Sequence, residues 1–193
     1  MPDLPNREKR ESALALALRQ AWKPHVGPWE SIDQAKLAQD TRTALEPALY
    51  DVALVAGLGI DGGRIDQIPI ERRTAEWAGS RAATLAAQTT ATTLARLRAG
   101  LEPATAFSDA RIAGIATTEV TRAVTAGEVI TLGLLFGAFD DKMRAIWNTA
   151  GDEMVCEVCG PLDGTGREVF GTVAPDGPPV HPWCRCWLEW EEV

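Results

Sequence analysis

From Trp147 to Gly164 the chain reads WNTAGDEMVCEVCGPLDG, and from Pro178 to Trp190 it reads PPVHPWCRCWLEW. These segments hold all four cysteines, Cys156, Cys159, Cys184 and Cys186, together with His181, one of only two histidines. Five soft donors gathered within 31 positions call for a physical cause. A structural metal ion supplies one, because zinc prefers a tetrahedral shell of thiolate and imidazole. Cys156 and Cys159 form a Cys-x-x-Cys pair that one tight turn can present. Cys184 and Cys186 flank a single residue, so an extended strand would direct both to one face. His181 precedes them, between Pro179 and Pro182. Spacing favours Cys156, Cys159, His181 and one of Cys184 or Cys186. A shell of four cysteines with His181 behind it is the alternative set. Two disulfides of a secreted fragment are the third arrangement; the absence of a signal peptide weighs against them.

The surrounding module is short of aliphatics but holds Trp147, Trp183, Trp187 and Trp190, which the sequence casts as a miniature core. A core so small is marginal without a staple, and a metal provides it. Alternation from Lys142 to Trp147 predicts a strand with one buried face. Arg167 to Phe170 and Cys184 to Trp190 read as further strands, and Asp152 as the cap of the turn bearing Cys156. The expected fold is α+β: a mainly helical N-terminal body followed by a small metal-stapled β-rich C-terminal module. The expected divisions are 1–69, a helical region and candidate docking arm; 70–139, a helical body; and 140–193, the Cys/His module.

Upstream, residues 7–22 predict an amphipathic helix on Leu14, Leu18 and Ala21, with Arg7, Lys9, Arg10 and Arg19 on a solvated face. His25 falls in the Pro-Gly-rich stretch that ends it. Ser31 with Gln34 has the form of a capping box, and Pro47 should end or kink the helix that follows. Residues 57–63 read as a flexible glycine-rich connection; they lack the Lys-Ser/Thr ending of a phosphate loop. The proline-free stretch 70–99 predicts the longest helix, stopped at Gly100. Ser108 should cap a helix over 109–126 whose stripe is Ile112, Ile115, Ala116, Val120 and Ala123. Glu119 and Arg122 read as a surface ion pair. Residues 128–139 are ambiguous between helix and loop.

A net charge of −8 over 193 residues argues against a generic nucleic-acid binder. From Asp140 onward there are 11 acidic and 4 basic residues, so any contact with DNA falls to the helical body. The longest apolar run, Leu132 to Phe139, is broken by glycines, and no unbroken stretch matches a membrane span. The expectation is a protein soluble in the cytoplasm, with no membrane partner.

The C-terminal constellation resembles the signature of phage head morphogenesis proteins, the minor head proteins similar to the F protein of phage Mu. That signature runs through Trp147, Thr149, Asp152, Cys156, Cys159, Leu162, Asp163, Gly164, His181, Pro182, Cys184, Arg185 and Cys186. The family's Ile-Ala-Arg-Thr-Glu helix corresponds to Ile115, Ala116, Thr117, Thr118 and Glu119, with Thr117 in place of arginine. The likeness spans about residues 70–193. It implies a structural component of the virion head near the portal vertex, assembled in the host cytoplasm. It would serve capsid assembly and DNA packaging or ejection. The implied partners are the portal protein or the major capsid protein, with contact to packaged double-stranded DNA. Two other classes stand beside this one. A metal-dependent hydrolase (nuclease or protease) would need an open metal position, whereas the donors here outnumber the places in a closed shell. A zinc-ribbon DNA-binding protein would need a basic module.

Overall fold

The computed structural model describes residues 6–137 and 142–193. The expected 139/140 boundary, the end of the Leu132–Phe139 run and the first five residues lie outside them. The architecture is α+β. Four helices form the body: α1 (Arg7–Trp22), α2 (Gln34–Asp61), α3 (Gln67–Arg98) and α5 (Asp109–Phe136), with the one-turn α4 (Pro103–Ala106) before α5. The C-terminal part holds β1 (Met143–Asn148), the one-turn α6 (Arg167–Phe170) and β2 (Trp187–Glu192). β1 and β2 pair antiparallel, Trp147 opposite Leu188.

Leu14, Leu18 and Trp22 of α1, Leu45, Leu49 and Val52 of α2, Ala78 and Ala82 of α3, and Ile112, Ala116 and Val120 of α5 share one core. The segments before and after residue 70 therefore belong to one packed body, and α1 is no free arm. Its three arginines are engaged by neighbours: Arg7 with Glu11, Arg10 with Asp51 of α2, and Arg19 with Asp109 of α5. His25 ends the short turn that follows α1. It is buried in a 3₁₀ turn, with Nε2 2.9 Å from Asp40 Oδ2.

α2 runs unbroken through Pro47. Proline removes one helical hydrogen bond at a cost of about 3 kcal/mol. Burial of Leu45 and Leu49 on either side of it outweighs that, since most helix stability in a protein comes from packing. The cap is Asp33, which accepts from the Lys36 amide at 2.9 Å; Ser31 instead donates to Pro28 O. α2 also absorbs the first part of the predicted glycine-rich connection. Buried Asp61 orders the remainder, accepting from the amides of Gly63 and Ile65 at 3.0 Å each. Gly62 ends the helix in the left-handed region at φ +58°. By length and composition α2 is the one helix among the described residues that can cross a membrane; here Leu37, Leu45, Leu49, Val52 and Ala53 lie in the bundle core.

Asp66 caps α3 through the Ile68 amide. Ser108 caps α5 as expected, accepting from the Arg111 amide at 3.4 Å. α5 continues to Phe136, ten residues past the predicted end. Glu119 is not at the surface. It is 3% exposed and held by the Arg81 fork at 2.7 and 2.5 Å, with Arg122 3.6 Å away. Glu119→Gln should cost about 2 kcal/mol. It leaves two half-buried guanidiniums without a countercharge, and their partial exposure puts the loss below that of a fully buried pair. Urea denaturation measures it.

Candidate metal centre

Each loop of the C-terminal module is fixed by side chains near the donors. Trp147 is fully buried on β1, 5.6 Å from the Phe170 ring. Asp163 Oδ1 accepts from the Thr149 amide at 2.7 Å and its hydroxyl at 3.0 Å, closing the loop that carries Cys156 and Cys159. Arg185 Nη2 donates to both carboxylate oxygens of Asp152, at 2.8 and 2.7 Å, and ties that loop to the second cysteine segment. The Arg185 hydrogen bonds hold the Asp152 carboxyl below its usual value. Asp152 also accepts from the Met154 amide, and the residues it caps form a turn rather than a helix.

The five donors converge. Cys156 Sγ and Cys159 Sγ each lie 3.1 Å from His181 Nε2, and Cys159 Sγ lies 4.0 Å from Cys184 Sγ. Two triads result, Cys156–Cys159–His181 and Cys159–Cys184–Cys186, and Cys159 belongs to both. All four thiols are free, with no disulfide among them. The Cys159 amide donates to Cys156 Sγ at 3.4 Å. His181 Nδ1 donates to Pro182 O at 2.6 Å. That bond selects the tautomer whose Nε2 lone pair faces the sulfurs, the usual support of a metal-bound imidazole. The cluster can hold a metal ion.

Electrostatics agrees with that chemistry. A hydrogen bond from Cys186 draws Cys184 down to about 5. Burial pushes Cys159 up to about 12, and the adjoining Cys184 adds to it. The bond to Cys184, then burial, drives Cys186 upward as well. Burial also acts to raise Cys156, but the amides of Cys159 and Val158 hold it below its ordinary value. So many packed thiols cannot ionise together unless a cation neutralises them.

Cys184 and Cys186 do not lie on a strand. They sit in irregular backbone ahead of β2. His181-Pro182-Trp183-Cys184 is a turn: the Cys184 amide donates to His181 O at 3.3 Å, and Trp183 takes φ +66°. Pro at the second position and positive φ at the third define a type II turn, where tryptophan is a strained choice. α5 supports it. The Trp183 amide donates to Thr118 Oγ1 at 2.9 Å, and the indole lies where a Cβ on Gly114 would meet it at 2.9 Å. Arg167–Phe170 is a helical turn, not a strand; the adjacent Gly166 bridges Ile146. Trp183 is about half exposed and Trp187 and Trp190 are partly buried. The core is instead Trp147, Phe170, Leu162, Leu188 and the cysteines.

The module docks on a stripe of α5. Thr121 Oγ1 donates to Cys184 O at 2.7 Å and accepts from Arg7 of α1. The Trp190 indole donates to buried Glu128 at 3.1 Å, and Thr125 packs near Gly177. Gly114, Thr118, Thr121, Thr125 and Glu128 recur at alternating spacings of four and three, one face of a helix. Reading only apolar periodicity missed this second face; a buried threonine stripe was the available signal.

Burial lifts Glu128 from an ordinary 4.5 to about 7, against the indole bond, which pulls it down. The folded state thus keeps a proton that the unfolded state releases. Stability from this residue is present at low pH and lost as pH rises from about 4.5 through about 7, by up to about 3 kcal/mol. Glu128→Gln should flatten that slope; denaturation midpoints of the two proteins across this range check it.

Helical body and docked Cys/His module together define the class, an α+β protein with a metal-capable C-terminal module. Comparisons with family models, with curated proteins and with solved structures find no match for this chain.

Proposed function

We propose that the chain is a minor head protein of a phage capsid, acting at the portal vertex by attachment rather than turnover, with its C-terminal module closed by one structural zinc ion. The observation that carries this reading is the convergence of Cys156, Cys159, His181, Cys184 and Cys186, the residues on which the resemblance most depends. The signature's polar members also have work that suits a clamp: Thr149 with Asp163, and Asp152 with Arg185, tie together the loops that bear the donors.

Within each triad the spacings suit zinc. Tetrahedral bonds of about 2.3 Å to sulfur and 2.0–2.1 Å to nitrogen put sulfurs about 3.8 Å apart and sulfur about 3.5 Å from nitrogen. The 4.0 Å and 3.1 Å separations are within half an ångström of these. The shell we favour is Cys156, Cys159, His181 and Cys184, with Cys186 hydrogen-bonded beside it. Filling all four places leaves no position for substrate or water, and His181 is then unavailable as a base. The partners are the portal protein or the major capsid protein, and packaged DNA would meet the helical body rather than the acidic module.

Antibody or gold labelling of assembled particles tests the role. Label at the single portal vertex is expected. A chain absent from purified particles and free in the lysate would refute the proposal.

A further inference from the structure

A cleft of about 520 Å³ opens where the bundle meets the module, within the roughly 300–1,000 Å³ range of small-molecule sites. None of the five donors lines it. Three guanidiniums do, those of Arg81, Arg122 and Arg167, and the only carboxylate among its lining residues is Asp176. Glu119 stands behind them but is already occupied by the Arg81 fork. Arg122 shares that carboxylate only at 3.6 Å. Its Nε is buried and has no hydrogen-bond acceptor among the described residues. A buried charged donor without an acceptor is costly in a folded protein, and an anion entering the cleft would supply one. Counting Asp176 and Glu119 against the three arginines leaves a positive site on a chain of net charge −8. Glu128, behind the Trp190 indole, keeps its proton up to about 7 and adds little negative charge below that.

The other walls are aromatic. Trp77 of α3 and Trp190 of β2, both only partly buried, line the cleft with Phe170. Planar rings stack on indole faces, and phosphate oxygens match the guanidinium fork. We infer that this cleft binds a nucleoside monophosphate, its phosphate on Arg122 and Arg167 and its base against Trp77 or Trp190. The inference is independent of the metal centre and of the virion role.

Titration calorimetry on the full, metal-loaded chain tests it, with 5′-AMP, adenosine and inorganic phosphate as probes. AMP should bind about tenfold or more tighter than either half alone. Arg122→Gln should weaken AMP about tenfold, and so should Arg167→Gln, which alters an exposed side chain that also reaches Pro175 O at 3.5 Å; unchanged thermal melting of that protein separates lost binding from lost fold. Trp77→Leu should reduce the advantage of AMP over phosphate. Lack of AMP binding at millimolar concentration, phosphate binding as tightly as AMP, or full affinity in the Arg167→Gln protein would each overturn the assignment.

Discussion

Replacing Cys159 with serine is expected to release the metal and melt the C-terminal module while the helical bundle stays folded. Cys159 is the one donor common to both triads, so its loss disables either ligand set. It is also 2% exposed and packs beside Leu162 and Phe170, so the hydroxyl enters a site built for sulfur. A structural zinc contributes on the order of 10–16 kcal/mol of apparent binding free energy, as much as the whole stability of a typical domain. The module's own apolar core, built on Trp147, Leu162, Phe170 and Leu188, is too small to replace it. Wild type should yield about one zinc per chain on denaturation with a chromogenic chelator, and Cys159→Ser close to none. Near-ultraviolet dichroism from the module's tryptophans should collapse, and proteolysis should begin beyond residue 142. Far-ultraviolet helicity should change little, because the shared core of α1, α2, α3 and α5 contains no residue of the module. Cys186→Ser, which touches only one triad, should keep the metal. A Cys159→Ser protein with full zinc and an intact module would contradict the account.

The second large effect lies in the bundle. Gly127→Val should cost at least about 4 kcal/mol, enough to lower the melting temperature by about 10 °C. A Cβ at Gly127 would sit 1.9 Å from Ala53 O and 2.7 Å from its carbonyl carbon. Gly57 on the facing helix is close as well, its Cβ position 2.5 Å from Thr131 Oγ1 and 2.9 Å from Gly127 O. α2 and α5 therefore touch backbone to backbone, and no rotamer change relieves the clash. The helices must part, and Leu49, Val52 and Val120 lose packing with them. Gly133→Ala is the control. It lies in the same helix with no atom within 4 Å of the added carbon, so it should be neutral or stabilising by a few tenths of a kcal/mol. Equal melting of the Gly127→Val and Gly133→Ala proteins would show that the crossing is not tight.

What could be read in advance was what local chemistry dictates. The stripe of Leu14 and Leu18, the Ser108 cap, the proline-free run of α3 and the alternation of β1 each describe a short segment, and each formed as expected. The donor cluster was legible for a related reason: five soft ligands in a chain otherwise without cysteine leave few alternatives. Features decided by distant partners were not legible. Pro47 sits inside a helix because packing on both sides outweighs one lost hydrogen bond. Glu119 is buried because Arg81, 38 residues away, reaches it. Arg167–Phe170 coils into a helical turn because β1 and β2 pair with each other, leaving Gly166 a single bridge to Ile146. The module's seat on α5 escaped notice because threonine and glycine mark no apolar period, although their spacing is that of a helix face. The capping role passed from Ser31 to Asp33 within two residues, a distinction propensity alone does not make.

X-ray absorption at the zinc edge of the purified chain reads the ligand shell itself. One four-coordinate zinc bound by three sulfurs and one imidazole nitrogen, with no oxygen in its shell, is expected. A zinc carrying a water ligand, or a chain with no zinc and oxidised cysteines, would contradict that closed shell.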